Sequence, residues 1–131
     1  MYFSSICGVE KLGEKVELPP QVQEQLVRLQ QLQQTLQAVV TQKQQLEIEL
    51  TEADRAIVEL EKLGDQTPVY KSVGSILVKY DRQLLVNELK EKKELYNTRV
   101  TVLGRQEERT RERIKELQQK LQERLRPAGP G

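Results

Sequence analysis

The sequence predicts a mainly α protein: a long antiparallel two-helix coiled coil with one β-hairpin at the helix-helix connection. Three observations carry that expectation. Two long stretches, Gln21 to Leu63 and Arg82 to Arg126, contain no Pro and repeat apolar residues in heptads. Between them lie two short β-prone runs around Gly74-Ser75. The composition is that of a thin helical object. The 131 residues are 31% charged, 37% hydrophobic and only 4% aromatic. The charged share exceeds the roughly 25% of ordinary domains, and few aromatics are available to fill a compact core. Length allows one domain at most.

Residues 1–17 show no clear period and are read as an N-terminal tail, its role left open. Within it, Tyr2, Phe3 and Ile6 are followed by Glu10, Lys11 and Glu14, an apolar run too short for a signal peptide. Leu18-Pro19-Pro20 is a break, because each Pro pushes its predecessor out of the helical region. Pro20 then suits the first helical position.

The first coiled-coil helix is assigned to residues 18–63. Gln, Glu and Leu dominate it, and all are good helix formers. Position a holds Val22, Leu29, Leu36, Lys43, Leu50 and Ile57; position d holds Gln25, Leu32, Val39, Leu46, Ala53 and Leu60. Apolar a and d positions sustained over several heptads indicate a coiled coil. Lys43 and Gln25 are the exceptions, read as register-setting or frayed positions. Gly64 can take the left-handed cap that ends the helix.

Residues 64–80 change period. Val69–Val73 and Ile76–Tyr80 flank Gly74-Ser75, a pair suited to a type II′ hairpin turn. A tight turn sets Val73 opposite Ile76, Lys71 opposite Val78 and Val69 opposite Tyr80. Val69, Val73, Ile76, Val78 and Tyr80 then share one face, with Tyr70, Ser72, Leu77 and Lys79 on the other. Asp81 is an N-cap candidate for the second helix, residues 81–126. There, position a holds Val86, Lys93, Val100, Glu107, Ile114 and Leu121; position d holds Leu89, Tyr96, Leu103, Thr110, Leu117 and Arg124. Leu85 and Leu125 widen the stripe, and Glu107 and Thr110 interrupt it. Gly104 is either a bending point or a tolerated exposed glycine. Residues 127–131, Pro-Ala-Gly-Pro-Gly, are read as a disordered C-terminus. The helices match in length, about 65 and 68 Å at about 1.5 Å per residue, so a reversing connection lets them zip together.

A lone two-stranded hairpin is marginal in water, and open apolar edges invite other chains. Obligate oligomerisation through residues 68–80 follows, carried by Val69, Tyr70, Val73, Ile76, Leu77, Val78 and Tyr80, with hairpins of several subunits joining edge to edge into a barrel or sandwich. The alternative is that the hairpin folds back onto its own helices.

Composition excludes much chemistry. There is no His and a single Cys, hence no imidazole base and no zinc site. No catalytic set, cofactor loop or metal cluster is visible, and an enzyme is not expected. With 21 basic and 20 acidic residues, a nucleic-acid partner is not expected. No apolar run approaches the roughly 20 residues that span a bilayer. The lone Cys7 suits a reducing cytoplasm.

The order helix, Val69–Lys79 (VYKSVGSILVK), then a helix carrying Glu88–Glu94 (ELKEKKE) and Arg105–Arg109 (RQEER) resembles the archaeal prefoldin β subunit. The resemblance covers about residues 19–127, and the hairpin is its most specific part. It implies a hexamer of two α-type and four β-type subunits, with a double β-barrel body and six coiled-coil tentacles. The single hairpin matches the β type. It also implies an ATP-independent holdase, without cofactor, that captures unfolded polypeptides and transfers them to a group II chaperonin.

Such capture needs exposed, adaptable apolar surface, with avidity supplying strength. The coil tip offers Leu18, Val22, Leu26, Val27, Leu29, Leu117, Leu121 and Leu125 as client-binding candidates. Leu26, Val27 and Leu125 lie off the seam and are surplus to zipping. The glutamines from Gln21 to Gln34 and the mixed charges from Arg105 to Arg113 are read as solvated faces. Arg105–Glu108 and Glu108–Arg111 are attractive at i,i+3. The reading from another class is a coiled-coil spacer or filament-forming subunit that binds no client.

Overall fold

The computed structural model describes residues 18–125. The order is helix α1 (Pro20–Lys62), strand β1 (Val69–Val73), strand β2 (Ile76–Tyr80) and helix α2 (Arg82–Leu125). The tail and the C-terminal segment read from the sequence lie outside the described residues. The chain divides into two compact units. One comprises residues 34–112 and holds the hairpin; the other comprises, among the described residues, 18–33 with 113–125.

In the hairpin unit, β1 and β2 form a two-stranded antiparallel sheet with Val69 opposite Tyr80, Lys71 opposite Val78 and Val73 opposite Ile76. Gly74 has φ of 60°, and no other residue among those described is left-handed. A type I′ turn would need positive φ at Ser75 as well, so Gly74-Ser75 makes the II′ form. Gly64 does not take the left-handed cap expected of it. The end of α1 is closed from α2 instead. Arg82 donates from Nη1 to the Leu60 carbonyl at 3.2 Å and from Nη2 to Asp65 Oδ1 at 2.7 Å. The Leu60 carbonyl also accepts from the Leu63 amide at 3.3 Å, and a cation at the negative end of the helix dipole adds to that bond. Asp81 caps α2: its Oδ2 accepts from the Leu84 amide at 2.9 Å, and its carbonyl accepts from the Leu85 amide at 3.0 Å.

The α1 and α2 segments of this unit run antiparallel. Their ion pairs step outward from the hairpin as Arg82–Asp65, Lys90–Glu61, Lys93–Asp54 and Lys43–Glu107. Between them the seam buries Val39, Ala53, Ile57, Leu60 and Val86. Thr110 is buried too, its hydroxyl donating to the Gln106 carbonyl at 2.7 Å. That bond to the preceding turn lets a polar residue occupy a core position. Gly104 does not interrupt α2, and a Cβ there would meet nothing within 4 Å.

In the other unit, α1 begins at Pro20, with the Val22 and Gln23 amides donating to the Pro19 carbonyl at 2.9 and 3.1 Å. Val22, Leu29, Ile114, Leu117 and Leu121 are buried. At the d position of Gln25, the side-chain oxygen is buried with no hydrogen-bond partner among the described residues. Arg124, also at d, reaches Gln21 Oε1 at 2.6 Å and remains exposed.

Candidate functional site

Two surfaces collect the residues picked out by sequence, one in each unit. The first is the hairpin. Val69 is its anchor, buried in a cluster with Leu60 and Val86 against which Leu85 and Leu89 pack. Tyr80, opposite Val69, is half-buried. The base of the sheet is thus covered by its own helices, as the fold-back alternative supposed. The rest is not. Leu77 is 72% exposed, Ile76 60%, Tyr70 55%, Val73 51% and Val78 41%. Side chains of that size are worth about 1.5–3 kcal/mol each when fully buried. The exposed apolar residues occupy both faces. Val73, Ile76 and Val78 lie on the face of Val69; Tyr70 and Leu77 lie on the other.

Lys71 shares the apolar face, which the sequence reading passed over. Its Nζ lies 2.9 Å from Glu88 Oε2 on α2 and 4.9 Å from the centroid of the Tyr80 ring. The Tyr80 hydroxyl donates to Glu88 Oε1. These contacts set the ionisation of all three groups. The hydrogen bonds from Tyr80 and then Lys71 hold the Glu88 carboxyl below its ordinary range. The bond to Glu88 raises Lys71 and likewise raises Tyr80. A lysine between Val69 and Val73 on an alternating apolar strand was the available signal, since such a charge needs a carboxylate within reach.

The second surface lies at the terminal end of the helices. Val27 is 54% exposed and Leu125 48%. Leu18 and Leu26 are half-buried. Val22, Leu29, Leu117 and Leu121 lie in the seam. Seam and off-seam residues therefore separate into buried and accessible sets, with Leu18 and Leu26 between them.

Further apolar exposure went unassigned in the sequence. On α2 of the hairpin unit, Leu84, Leu95 and Val102 are each about half exposed. On α1, Ile48 and Val58 are similar. Among the described residues no group of three His, Cys, Asp or Glu could hold a metal ion. No described helix is long and apolar enough to cross a membrane.

Comparisons with known proteins agree on one family. The family model described as "Prefoldin subunit" matches residues 23–128. The prefoldin subunit beta of Archaeoglobus fulgidus is 56% identical over 111 residues, covering 85% of this chain and 96% of that protein. The corresponding subunit of Thermococcus onnurineus is 48% identical over 110 residues, covering 84% and 95%. The crystal structure of the prefoldin beta subunit from Thermococcus strain KS-1 superposes with a TM-score of 0.73 at 48% identity, covering 85% of this chain and 97% of that one. The beta2 subunit from the same strain shares the fold at a TM-score of 0.63 and 22% identity.

Proposed function

This chain belongs to the prefoldin family, whose members are chaperone subunits, and from that premise we propose that it works as a β-type holdase subunit. It assembles with α-type subunits into a hexamer of two α and four β chains. The hairpins form the β-barrel body of that hexamer. The coil tips capture unfolded polypeptides without ATP and pass them to a group II chaperonin. The compartment is the cytoplasm.

One observation carries the assembly step. A two-stranded sheet leaves Tyr70, Val73, Ile76, Leu77 and Val78 open to solvent on both faces. A sheet of this size does not hold such surface in water unaided. Partner chains cover it at the expense of little order, because the base is already fixed on α1 and α2. Val69 is committed to the chain's own core and contributes to assembly only through that anchoring. Tyr80 acts in the same way.

The capture step is supported by Val27 and Leu125, which stand exposed beside the seam, with Leu18 and Leu26 half-covered. Each offers a small apolar patch. Several tips gripping one chain together multiply weak contacts into useful affinity.

The test is suppression of aggregation of a chemically denatured client by the chain mixed with an α-type subunit, without nucleotide. Adding a group II chaperonin with ATP then checks transfer. Suppression followed by recovery of native client is the expected result. A defined hexamer that leaves client aggregation unchanged would instead establish a structural coiled-coil subunit.

A further inference from the structure

The backbone holds the hairpin to the helices most closely at one corner, where Asp81 alone links β2 to α2 and caps that helix. β1 is joined to α1 through the non-helical residues Leu63–Pro68, and β2 meets α2 at Asp81. One apolar contact at Val69 would act as a pivot. Glu88 adds two further points of attachment, one on each strand. Its Oε2 accepts from Lys71 Nζ on β1 at 2.9 Å, and its Oε1 accepts from the Tyr80 hydroxyl on β2. One planar carboxylate on α2 thus takes one bond from each strand, using both oxygens. Both are charge-assisted bonds, the stronger kind. The Lys71 ammonium over the Tyr80 ring closes the cluster.

We propose that Glu88 is the positioning residue of the hairpin, tying both strands to α2 so that Val73, Ile76 and Val78 meet neighbouring chains in one orientation. This rests on the hairpin being the assembly element. Orientation matters because association loses affinity when partners must first be ordered. Glu88 acts through Lys71 and Tyr80.

The experiment places spin labels on the full chain at Ser75→Cys and Glu91→Cys in a Cys7→Ser background. Labelled chains are diluted among unlabelled copies, with the α-type partner present, and pulsed-EPR distances are recorded. The otherwise unaltered chain gives one narrow distance distribution. Glu88→Ala and Lys71→Met each broaden it. Glu88→Ala also raises the midpoint concentration of assembly about tenfold, as expected for losing hydrogen bonds to a charged group. Exchanging the charges, Lys71→Glu with Glu88→Lys, re-forms the ion pair to β1 but leaves the Tyr80 hydroxyl without its acceptor, so it narrows the distribution in part. Helical circular dichroism stays unchanged throughout, since the heptad seam is untouched. A distribution that stays narrow in Glu88→Ala overturns the proposal, as does a charge exchange as broad as the single variants. The two readouts are separable: the distances test Glu88, and assembly of the otherwise unaltered chain tests the role of the hairpin.

Discussion

Lys43 Nζ on α1 lies 3.1 Å from Glu107 Oε1 on α2, although each residue breaks the apolar repeat of its own helix. Arg111 Nη2 joins at 3.0 Å from Glu107 Oε2. The bonds from Lys43 first, then Arg111, hold the Glu107 carboxyl below its ordinary range. Neither seam side chain is fully covered: Lys43 is 30% exposed and Glu107 19%. A slip of one heptad would set Lys43 against Val100 or Ile114 and leave a charge facing apolar neighbours. The pair is placed where polar residues can select the register, their best-attested use at such positions.

Removing one partner should harm more than removing both. Glu107→Leu leaves the Lys43 ammonium unpaired in the seam, whereas Lys43→Leu with Glu107→Leu restores a continuous apolar stripe. The expected order of thermal midpoint is double variant highest, then the original chain, then Glu107→Leu. Differential scanning calorimetry measures it. A single variant as stable as the double would show that the pair carries no coupling.

Thermal stability should hold level from about pH 5 to 9 and decline on either side. Glu88 and Glu107 are lowered by their partners. Their contribution is complete above the ordinary carboxylate value of about 4.3 and is lost as pH falls through the lower folded value. Lys71 and Tyr80 are raised above 10.5 and 10.0. Theirs is complete below those values and is lost as pH climbs through the folded ones. Melting curves across pH check this, and Glu88→Gln should shrink the acid-side decline.

Gly104→Ala should stabilise α2. The added Cβ meets nothing within 4 Å, and alanine is favoured over glycine inside a helix by about 1 kcal/mol. Urea denaturation of the assembled protein reads the gain. If client holding falls at the same time, Gly104 serves as a bending point; unchanged holding identifies a tolerated glycine.

Leu26→Ser combined with Leu125→Ser should weaken holding of a denatured client while the oligomer stays intact. Both residues lie off the buried seam, and Leu125 is about half exposed. Light scattering of an aggregating client, beside native mass of the assembly, separates the two effects. Full suppression by the double variant would remove these residues from the client surface.

Local signals made much of the fold legible. Pro20 starts α1, Asp81 caps α2 and Gly74-Ser75 turns the hairpin, each through its own short-range chemistry. Heptad spacing located the seam, and of the assigned a and d residues only Arg124 is exposed. What escaped depends on contacts between segments distant in sequence. Lys43 reads as a register-setting or frayed position and Glu107 as an interruption, but their pairing exists only once the antiparallel register is set. Lys71 and Glu88 were invisible as a pair for the same reason. Gly64 misled: glycine permits a left-handed cap but does not require one where Arg82 closes the helix end. The exposure of Leu84, Leu95 and Val102 had no marker in a repeat that counts only a and d positions.

The mass of the native particle at micromolar concentration, with an α-type subunit present, bears most directly on the hairpin's role. A discrete multi-chain species is expected, collapsing to single chains of undiminished helicity when Ile76→Asp and Leu77→Asp are introduced together. A species that stays multi-chain with both aspartates in place, or an unaltered chain that remains solitary beside its partner, would contradict it.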